Sequence, residues 1–214
     1  MNWDTMASYG DLRSVIDPAD VVGHKNRYIN MLQHVALSNL MMNVNGTHVL
    51  DVGCGIGRFH DLFVHAGSYT GIDTCEAMSP PIVASCDDIP YDDETFDVIL
   101  SVWTLQYQKN LCECVEEIKR VLAPGGVVYL IEQISPYHHD GVCARWLKEY
   151  AFEFEDTLWY KPLLRDNDPF VGIVRRGLIP ERLFRTIVPY HIRMTKYLIP
   201  RVYTDYLMFW EKRL

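Results

Sequence analysis

The sequence predicts a doubly wound α/β domain built on a mostly parallel, seven-stranded sheet. Short apolar segments alternate with helical segments between residues 47 and 134, which is typical of parallel strands joined by right-handed crossovers. Two further strand-like pieces, separated by Pro200, lie in residues 182–214. With 214 residues, of which 49% are hydrophobic, the chain can bury a substantial core without metals or crosslinks.

Each element of the central region has its own signal. Apolar, β-branched runs bounded by turn residues predict five strands, at residues 47–51, 69–73, 82–85, 96–101 and 127–131. A helix is expected over residues 58–65, stopped at Gly67. Another is indicated by apolar residues three and four apart, and it should end at residues 123–126, Ala-Pro-Gly-Gly. Its spaced residues are Leu111, Val115, Ile118 and Leu122.

The flanking regions predict a lid. Residues 1–46 form an irregular arm and a helix over residues 18–43, and residues 47–214 form the main domain. An aromatic-rich insertion at about residues 137–164 follows the fifth strand, and another helix is expected near residues 170–176. The arm and the insertion are placed to cover a ligand, although the aromatic side chains could instead pack the insertion onto the domain. These aromatic residues are Trp146, Tyr150, Phe152, Phe154, Trp159 and Tyr160.

Composition narrows the functional classes. Six scattered cysteines and a start without a charged leader or an apolar run predict reduced thiols and a cytoplasmic location. Cys112 and Cys114 lie in a helical pattern that points their side chains apart, so we expect no metal site there. The net charge of −8 disfavours a nucleic-acid partner, although residues 161–214 are locally basic. Residues 197–214 could lie on a membrane surface, or form an edge strand and a dimer contact, so a monomer or a homodimer is expected.

The most informative segment is Val-Leu-Asp-Val-Gly-Cys-Gly-Ile-Gly, residues 49–57. Glycines directly after a buried strand let the backbone approach a ligand and point amides at it. Asp73, at the end of the second strand, can accept hydrogen bonds from two ribose hydroxyls, which indicates a nucleoside. The third glycine comes one residue earlier than in a dinucleotide fingerprint, and Asp51 precedes the loop. An acid at this position favours an amine-bearing ligand over a diphosphate.

Four segments in order, LDVGCGIG, GID, DDIPYDDETFDVILS and RVLAPGGVVYLIE, resemble the class I, Rossmann-like S-adenosylmethionine-dependent methyltransferases of the small-molecule, type 11-like branch. The resemblance covers about residues 47–134. It implies S-adenosylmethionine as cofactor and S-adenosylhomocysteine as product. It also implies where each part of the cofactor binds. The methionine part lies at the first strand and the loop after it, and the ribose lies at the end of the second strand. Adenine binds after the third strand, where Ser85 and Asp87 remain alternatives, and the methyl-transfer site follows the fourth strand. The residues in these roles are Asp51, Gly53, Cys54, Gly55, Gly57, Asp73, Thr74, Ser85, Cys86, Asp87 and Ser101.

The resemblance further implies a small-molecule acceptor, expected to be an oxygen of a sugar, a phenol or a lipid-linked intermediate. The candidate bases are His138 and His139, just after the fifth strand, then Glu132 and Tyr107; an ordinary surface or supporting role is the alternative for each. The sequence Ser-Val-Trp-Thr at residues 101–104 replaces the Asn-Pro-Pro-Tyr signature of enzymes that methylate nucleic-acid amines, which disfavours base methylation. The remaining alternatives are an RNA or protein methyltransferase that docks through the basic tail, and an inactive cofactor-binding module.

Overall fold

The computed structural model describes residues 33, 37, 38, 44–133, 147–154, 158–165 and 203–213. Their strands form one seven-stranded sheet of order β3-β2-β1-β4-β5-β7-β6. The strands are β1 (His48–Val52), β2 (Ser68–Asp73), β3 (Ile82–Val83), β4 (Phe96–Val102), β5 (Leu122–Gln133), β6 (Trp159–Arg165) and β7 (Tyr203–Glu211). The α-helices whose bounds lie within the described residues are α1 (Leu111–Val121) and α2 (Leu147–Glu153).

The direction of the strands confirms the predicted architecture. Strands β1 to β5 are parallel to one another, whereas β7 runs antiparallel to both β5 and β6. The chain crosses from β3 at one edge to β4, beside β1, which makes the β1–β4 boundary the point where the strand order reverses. In open α/β sheets ligands bind beyond the carboxyl ends of the strands at such a point.

Apolar side chains cover both faces of the sheet. Leu50 and Val52 of β1 belong to a cluster that includes α1, whereas Val49 belongs to a cluster on the opposite face. Helix α1 buries its apolar stripe, and the Lys212 ammonium caps its last turn by donating to the carbonyls of Lys119 (2.9 Å) and Leu122 (2.6 Å). Among the described residues, no helix has the length and apolar character needed to cross a bilayer.

The helix expected over residues 58–65 is wrong in length and type. This segment forms turns with one 3-10 helix, His60–Phe63. Its backbone bonds join residues three apart, including the His60 amide to the Gly57 carbonyl (3.0 Å) and the Ala66 amide to the Phe63 carbonyl (2.9 Å). The segment begins directly after Gly57, which is left-handed at φ +74°, and leads into β2 at Ser68. A segment this short forms few hydrogen bonds to offset the cost of the first helical turn, and 3-10 turns are common in such connections.

The described part of the insertion places its aromatic side chains in different surroundings. Tyr150 and Phe154 are fully buried in the core cluster of α1, and Trp159 and Tyr160 lie in β6, an edge strand of the sheet. The sixth strand therefore comes from within residues 137–164 rather than from the tail. Pro162 is compatible with this position because an edge strand has one side without ladder partners.

Several predictions fall on residues outside the described ranges. They are the N-terminal arm, most of the helix over residues 18–43, Trp146, the helix near residues 170–176, and the first strand-like piece of the tail. The second piece is confirmed as β7.

Candidate functional site

The loop after β1 is built on three left-handed glycines. Gly53 and Gly57 have φ values of +74°, and Gly55 has +55°. The amides of Gly53 and Cys54 both donate to the Ile72 carbonyl at the end of β2, at 2.8 and 3.0 Å. Among the described residues, no atom outside their chain neighbours lies within 4 Å of where a Cβ would stand at Gly55 or Gly57. The loop is thus fixed at its start and open along its outer part.

Asp73 connects this loop to the end of β2. One carboxylate oxygen accepts the Gly55 amide at 2.9 Å, and the other accepts the Cys75 amide at the same distance. These two bonds orient the carboxylate, and each oxygen keeps a lone pair for another donor. The neighbouring Thr74 is exposed. The Asp73 carboxylate can therefore accept further hydrogen bonds without leaving the backbone amides that hold it.

Asp51 is buried within β1 near the loop, with 1% of its surface exposed. The Tyr69 hydroxyl donates to one of its oxygens at 2.6 Å. Burial raises the pKa of Asp51 to about 6, although the Tyr69 hydrogen bond and the nearby Arg58 lower it; the charge of Asp73 raises it further. The structure holds a carboxyl group next to the glycine loop that titrates close to neutral pH.

Cys54 and two residues that the sequence analysis did not single out complete the surroundings of Asp51. The Arg58 guanidinium donates to the Gln33 side chain at 2.8 Å and lies over the Phe59 ring. Its position directly after Gly57 is the signal that could have identified it, whereas no pattern predicts the partnership of Tyr69 with Asp51. The Cys54 thiol packs on Gly71, where a Cβ would stand 2.6 Å from the sulfur, and burial raises the pKa of this thiol. Cys54 therefore anchors the loop through its side chain.

The segment proposed for adenine lies beside Asp73. The Ala84 amide donates to the Asp73 carbonyl at 3.1 Å, which places Ser85 next along the chain. Ser85 is half-buried and Asp87 is exposed. The Cys86 side chain is buried instead, with its sulfur 2.7 Å from that of Cys114, so only its backbone faces the same edge. The hydrogen bond to Cys114 and burial raise the pKa of the Cys86 thiol.

Ser101 lies at the same edge but on the other face of the sheet from Asp51. Asp51 alternates with Leu50 and Val52, whereas Ser101 alternates with Leu100 and Val102, which belong to the opposite cluster. Ser101 is fully buried, and its hydroxyl has no hydrogen-bond partner in the described part of the chain. The two side chains predicted for one cofactor site are thus separated by the sheet itself.

The four residues predicted as candidate bases differ in where they lie and in how far they are buried. Tyr107 is half-buried in the 3-10 turn Leu105–Tyr107, which follows β4. His138 and His139 lie outside the described residues. Glu132 is fully buried at the end of β5, and its carboxylate accepts backbone hydrogen bonds. These come from Thr104 (3.2 Å), Leu105 (3.0 Å) and Gln106 (3.1 Å).

Residues 50–130 match the family model described as "Methyltransferase domain". The chain is 29% identical over 130 residues to a sterol 4-C-methyltransferase of Caenorhabditis elegans, with 50% of this chain and 38% of that protein aligned. It is 30% identical over 125 residues to a phthiotriol/phenolphthiotriol dimycocerosates methyltransferase of Mycobacterium tuberculosis, with 51% of this chain and 45% of that protein aligned. The chain therefore spans less than half the length of these curated relatives.

A solved structure extends the match to the fold. Phosphoethanolamine N-methyltransferase 2 of Haemonchus contortus, in complex with S-adenosyl-L-methionine, superposes with a TM-score of 0.62 at 14% identity, covering 85% of this chain and 52% of that one. At this identity the likeness concerns the fold. By its matched domain over residues 50–130 and its seven-stranded sheet, the chain resembles the class I S-adenosylmethionine-dependent methyltransferases.

Proposed function

We propose that this chain binds S-adenosylmethionine at the carboxyl ends of β1 and β2 and transfers its methyl group to a small-molecule acceptor. The observation that carries the proposal is the joining of the glycine loop to Asp73 by the 2.9 Å bond from the Gly55 amide. This bond brings an open glycine loop and a ribose-binding carboxylate to one edge of the sheet. The site fits a nucleoside with an amino-acid tail. When bound, the cofactor supplies a methyl group already activated on a sulfonium.

The loop, the two aspartates and the segment after β3 each bind a different part of the cofactor in this proposal. The open outer part of the loop receives the methionine part, and Asp51, which is buried next to the loop, stabilises its ammonium group. Asp73 accepts hydrogen bonds from the ribose hydroxyls with its remaining lone pairs. Adenine is placed against the segment after β3, where the Ser85 hydroxyl and the Asp87 carboxylate are the two candidate acceptors for its amino group.

The protein's main contribution to methyl transfer is to align the acceptor with the methyl group and to exclude water, since such positioning can lower a barrier by about 7–11 kcal/mol. A base is needed only for an acceptor of high pKa. His138, His139 and Tyr107 remain the proposed candidates for it. Glu132 is a poor base because three backbone amides already occupy its carboxylate.

We propose a lipid or a lipid-linked molecule as the acceptor, because two relatives are named for a sterol and for phthiotriol dimycocerosates. An oxygen is the acceptor atom expected from the sequence, whereas the first relative is named a 4-C-methyltransferase, so the acceptor panel should offer both oxygen and carbon positions. Sugars and phenols belong in the same acceptor panel, assayed with methyl-labelled S-adenosylmethionine. Steeply salt-sensitive methylation of RNA or protein would contradict the small-molecule assignment. Cofactor binding without turnover across the panel would indicate a binding module.

Calorimetry with S-adenosylhomocysteine tests the cofactor site. We expect Asp73→Ala to weaken binding by roughly 100-fold, because hydrogen bonds to a charged group are worth about 1.5–3 kcal/mol each and the variant also frees the loop. Asp97→Ala is the matched control. Asp97 likewise accepts a backbone amide, that of His48 at 2.8 Å, but at the opposite end of β1. Equal affinities of the Asp73→Ala variant and the unmodified chain would remove the ribose assignment.

A further inference from the structure

We infer that Glu132 is a positioning residue of the cofactor site, which it controls without contacting the cofactor. The inference rests on the proposed function, and it begins with the three backbone amides at the Glu132 carboxylate. One oxygen accepts the amides of Thr104 and Leu105, at 3.2 and 3.0 Å, and the other accepts that of Gln106, at 3.1 Å. An ionised carboxylate can satisfy all three because it only accepts hydrogen bonds.

The amides belong to a turn that follows β4 and begins in a strained conformation. Trp103 has φ +55°, a region that residues with a Cβ rarely adopt, and its amide donates to the Ile131 carbonyl at 2.7 Å. Ile131 and Glu132 are consecutive residues of β5. The end of β5 thus fixes both the first residue of the turn, through a carbonyl, and the next three, through a carboxylate. Strain of this kind persists only where the surroundings enforce it, as β5 does here.

The turn rests on the first glycine of the cofactor loop. A Cβ at Gly53 would overlap the Thr104 side chain, so this side chain already fills the space beside the Gly53 backbone. The Gly53 amide in turn holds the Ile72 carbonyl at 2.8 Å. A displacement of Thr104 is therefore passed directly to the loop that carries the Gly55 amide and its bond to Asp73. The route runs from Glu132 through Thr104 to Gly53.

The consequence concerns affinity for the cofactor. Glu132→Gln keeps the size of the side chain but replaces one acceptor oxygen with the NH2 of a side-chain amide. This NH2 only donates hydrogen bonds, so it faces a backbone amide that also donates. We expect this variant to bind S-adenosylhomocysteine on the order of ten-fold more weakly, because an unsatisfied buried amide releases the turn. Thr104→Ala, which keeps the three amides but removes the contact with Gly53, should weaken binding by a similar factor.

A double-mutant cycle measured by calorimetry tests the route. Since both changes act through one contact, the double variant should bind S-adenosylhomocysteine no more weakly than Glu132→Gln alone. Losses that multiply would overturn the inference. Lys212→Met is the control for a purely structural effect, because Lys212 caps α1 with two hydrogen bonds away from the loop. It should lower the melting temperature and leave the affinity unchanged; a matching loss of affinity would show that destabilisation alone explains Glu132→Gln.

The remaining outcomes are also decisive. If Glu132→Gln does not fold, Thr104→Ala carries the test, and an unchanged affinity in that variant overturns the inference. If the unmodified chain binds S-adenosylhomocysteine but Glu132→Gln binds it equally well, the positioning role is wrong and the cofactor assignment stands. If the unmodified chain does not bind S-adenosylhomocysteine, both are wrong.

Discussion

The Tyr69 hydroxyl donates a 2.6 Å hydrogen bond to the Asp51 carboxylate, from β2 to the neighbouring β1. Both side chains lie on the sheet face that also carries Val49 and Phe63. Burial there disfavours the charged carboxylate, and the hydroxyl supplies part of the lost solvation. A partly compensated buried acid next to a ligand loop is typical of a functional group that the fold retains at a cost in stability.

This cost should be visible in Asp51→Asn. Because the folded state raises the pKa of Asp51 from 3.8 to about 6, it binds the proton more tightly than the unfolded chain does. The contribution of Asp51 to the free energy of unfolding therefore falls by about 3 kcal/mol in total as pH rises between these two pKa values. The asparagine variant should be the more stable protein above pH 6, and the two should converge near pH 4. Urea unfolding at several pH values measures the difference; parallel curves would contradict the raised pKa.

Removing the hydroxyl donor should raise the pKa of Asp51 further. In Tyr69→Phe the carboxylate loses a hydrogen bond that favours its charged form, worth about one to two pH units by the usual strength of such bonds. The free energy of unfolding of Tyr69→Phe is compared with that of the Asp51→Asn, Tyr69→Phe double variant, which lacks the titrating carboxyl. The pH-dependent loss of stability of Tyr69→Phe in this comparison should end at a higher pH than in the protein that keeps Tyr69. Tyr129→Phe, on β5, is the control that should leave the midpoint in place. An unmoved midpoint in Tyr69→Phe would mean that the hydroxyl does not hold the charged form.

Cofactor binding should release a proton at mildly acidic pH. The ammonium group of the methionine part favours the charged carboxylate, so S-adenosylhomocysteine should lower the pKa of Asp51. Its affinity is then expected to increase from pH 5 to pH 7, by up to about ten-fold per unit of pKa difference. Calorimetry in buffers of different ionisation enthalpy counts the proton. In Asp51→Asn this proton release should disappear, and its persistence would assign it to another group.

Alanine substitutions at three glycines with positive φ values distinguish the cost of left-handed strain from that of steric overlap and from the loss of a ligand contact. Gly46→Ala meets no described atom within 4 Å outside its chain neighbours, so it should cost only the left-handed strain of about 1–2 kcal/mol. Gly53→Ala also overlaps Thr104 and should cost about 1–3 kcal/mol more. Gly55→Ala should resemble Gly46→Ala in unfolding but lose affinity for S-adenosylhomocysteine. Equal affinity in the Gly46 and Gly55 variants would mean that the loop does not face the ligand.

The sequence predicted most accurately where local pattern and burial agree. Apolar spacing and glycine positions correctly predicted strands β1 and β2, the glycine loop after β1 and helix α1. Helix α1 nevertheless ends at Val121, because residues 122–126 belong to β5 instead of the helix end. The helix predicted over residues 58–65 was wrong because helical spacing over eight residues does not distinguish an α-helix from turns around a 3-10 helix. The lid expected from the aromatic insertion stays a prediction, since an aromatic run alone does not indicate which surface each side chain contacts; Tyr150 is buried in the core.

In the site too, the sequence predicted positions set by local pattern but not contacts between residues far apart in the chain. Asp51, Asp73 and the glycines were identified from their places at strand ends, which parallel topology brings together. The contacts that modify them come from residues far apart in sequence, such as Glu132 with the amides of Thr104 and its neighbours. Ser101 was assigned to the same cofactor site as Asp51 because the end of the fourth strand resembles the segment that lines the methyl-transfer site. Strand alternation places them on opposite faces, and recognising this from sequence requires the pairing register as well as the positions.

The central claim is tested most directly by a crystal structure of this chain with S-adenosylhomocysteine. We expect the ribose hydroxyls within hydrogen-bond distance of the Asp73 carboxylate and the amino-acid end against the outer part of the loop, at Gly55 and Gly57. The contrary result is a nucleoside bound elsewhere, with the loop crevice closed by protein side chains.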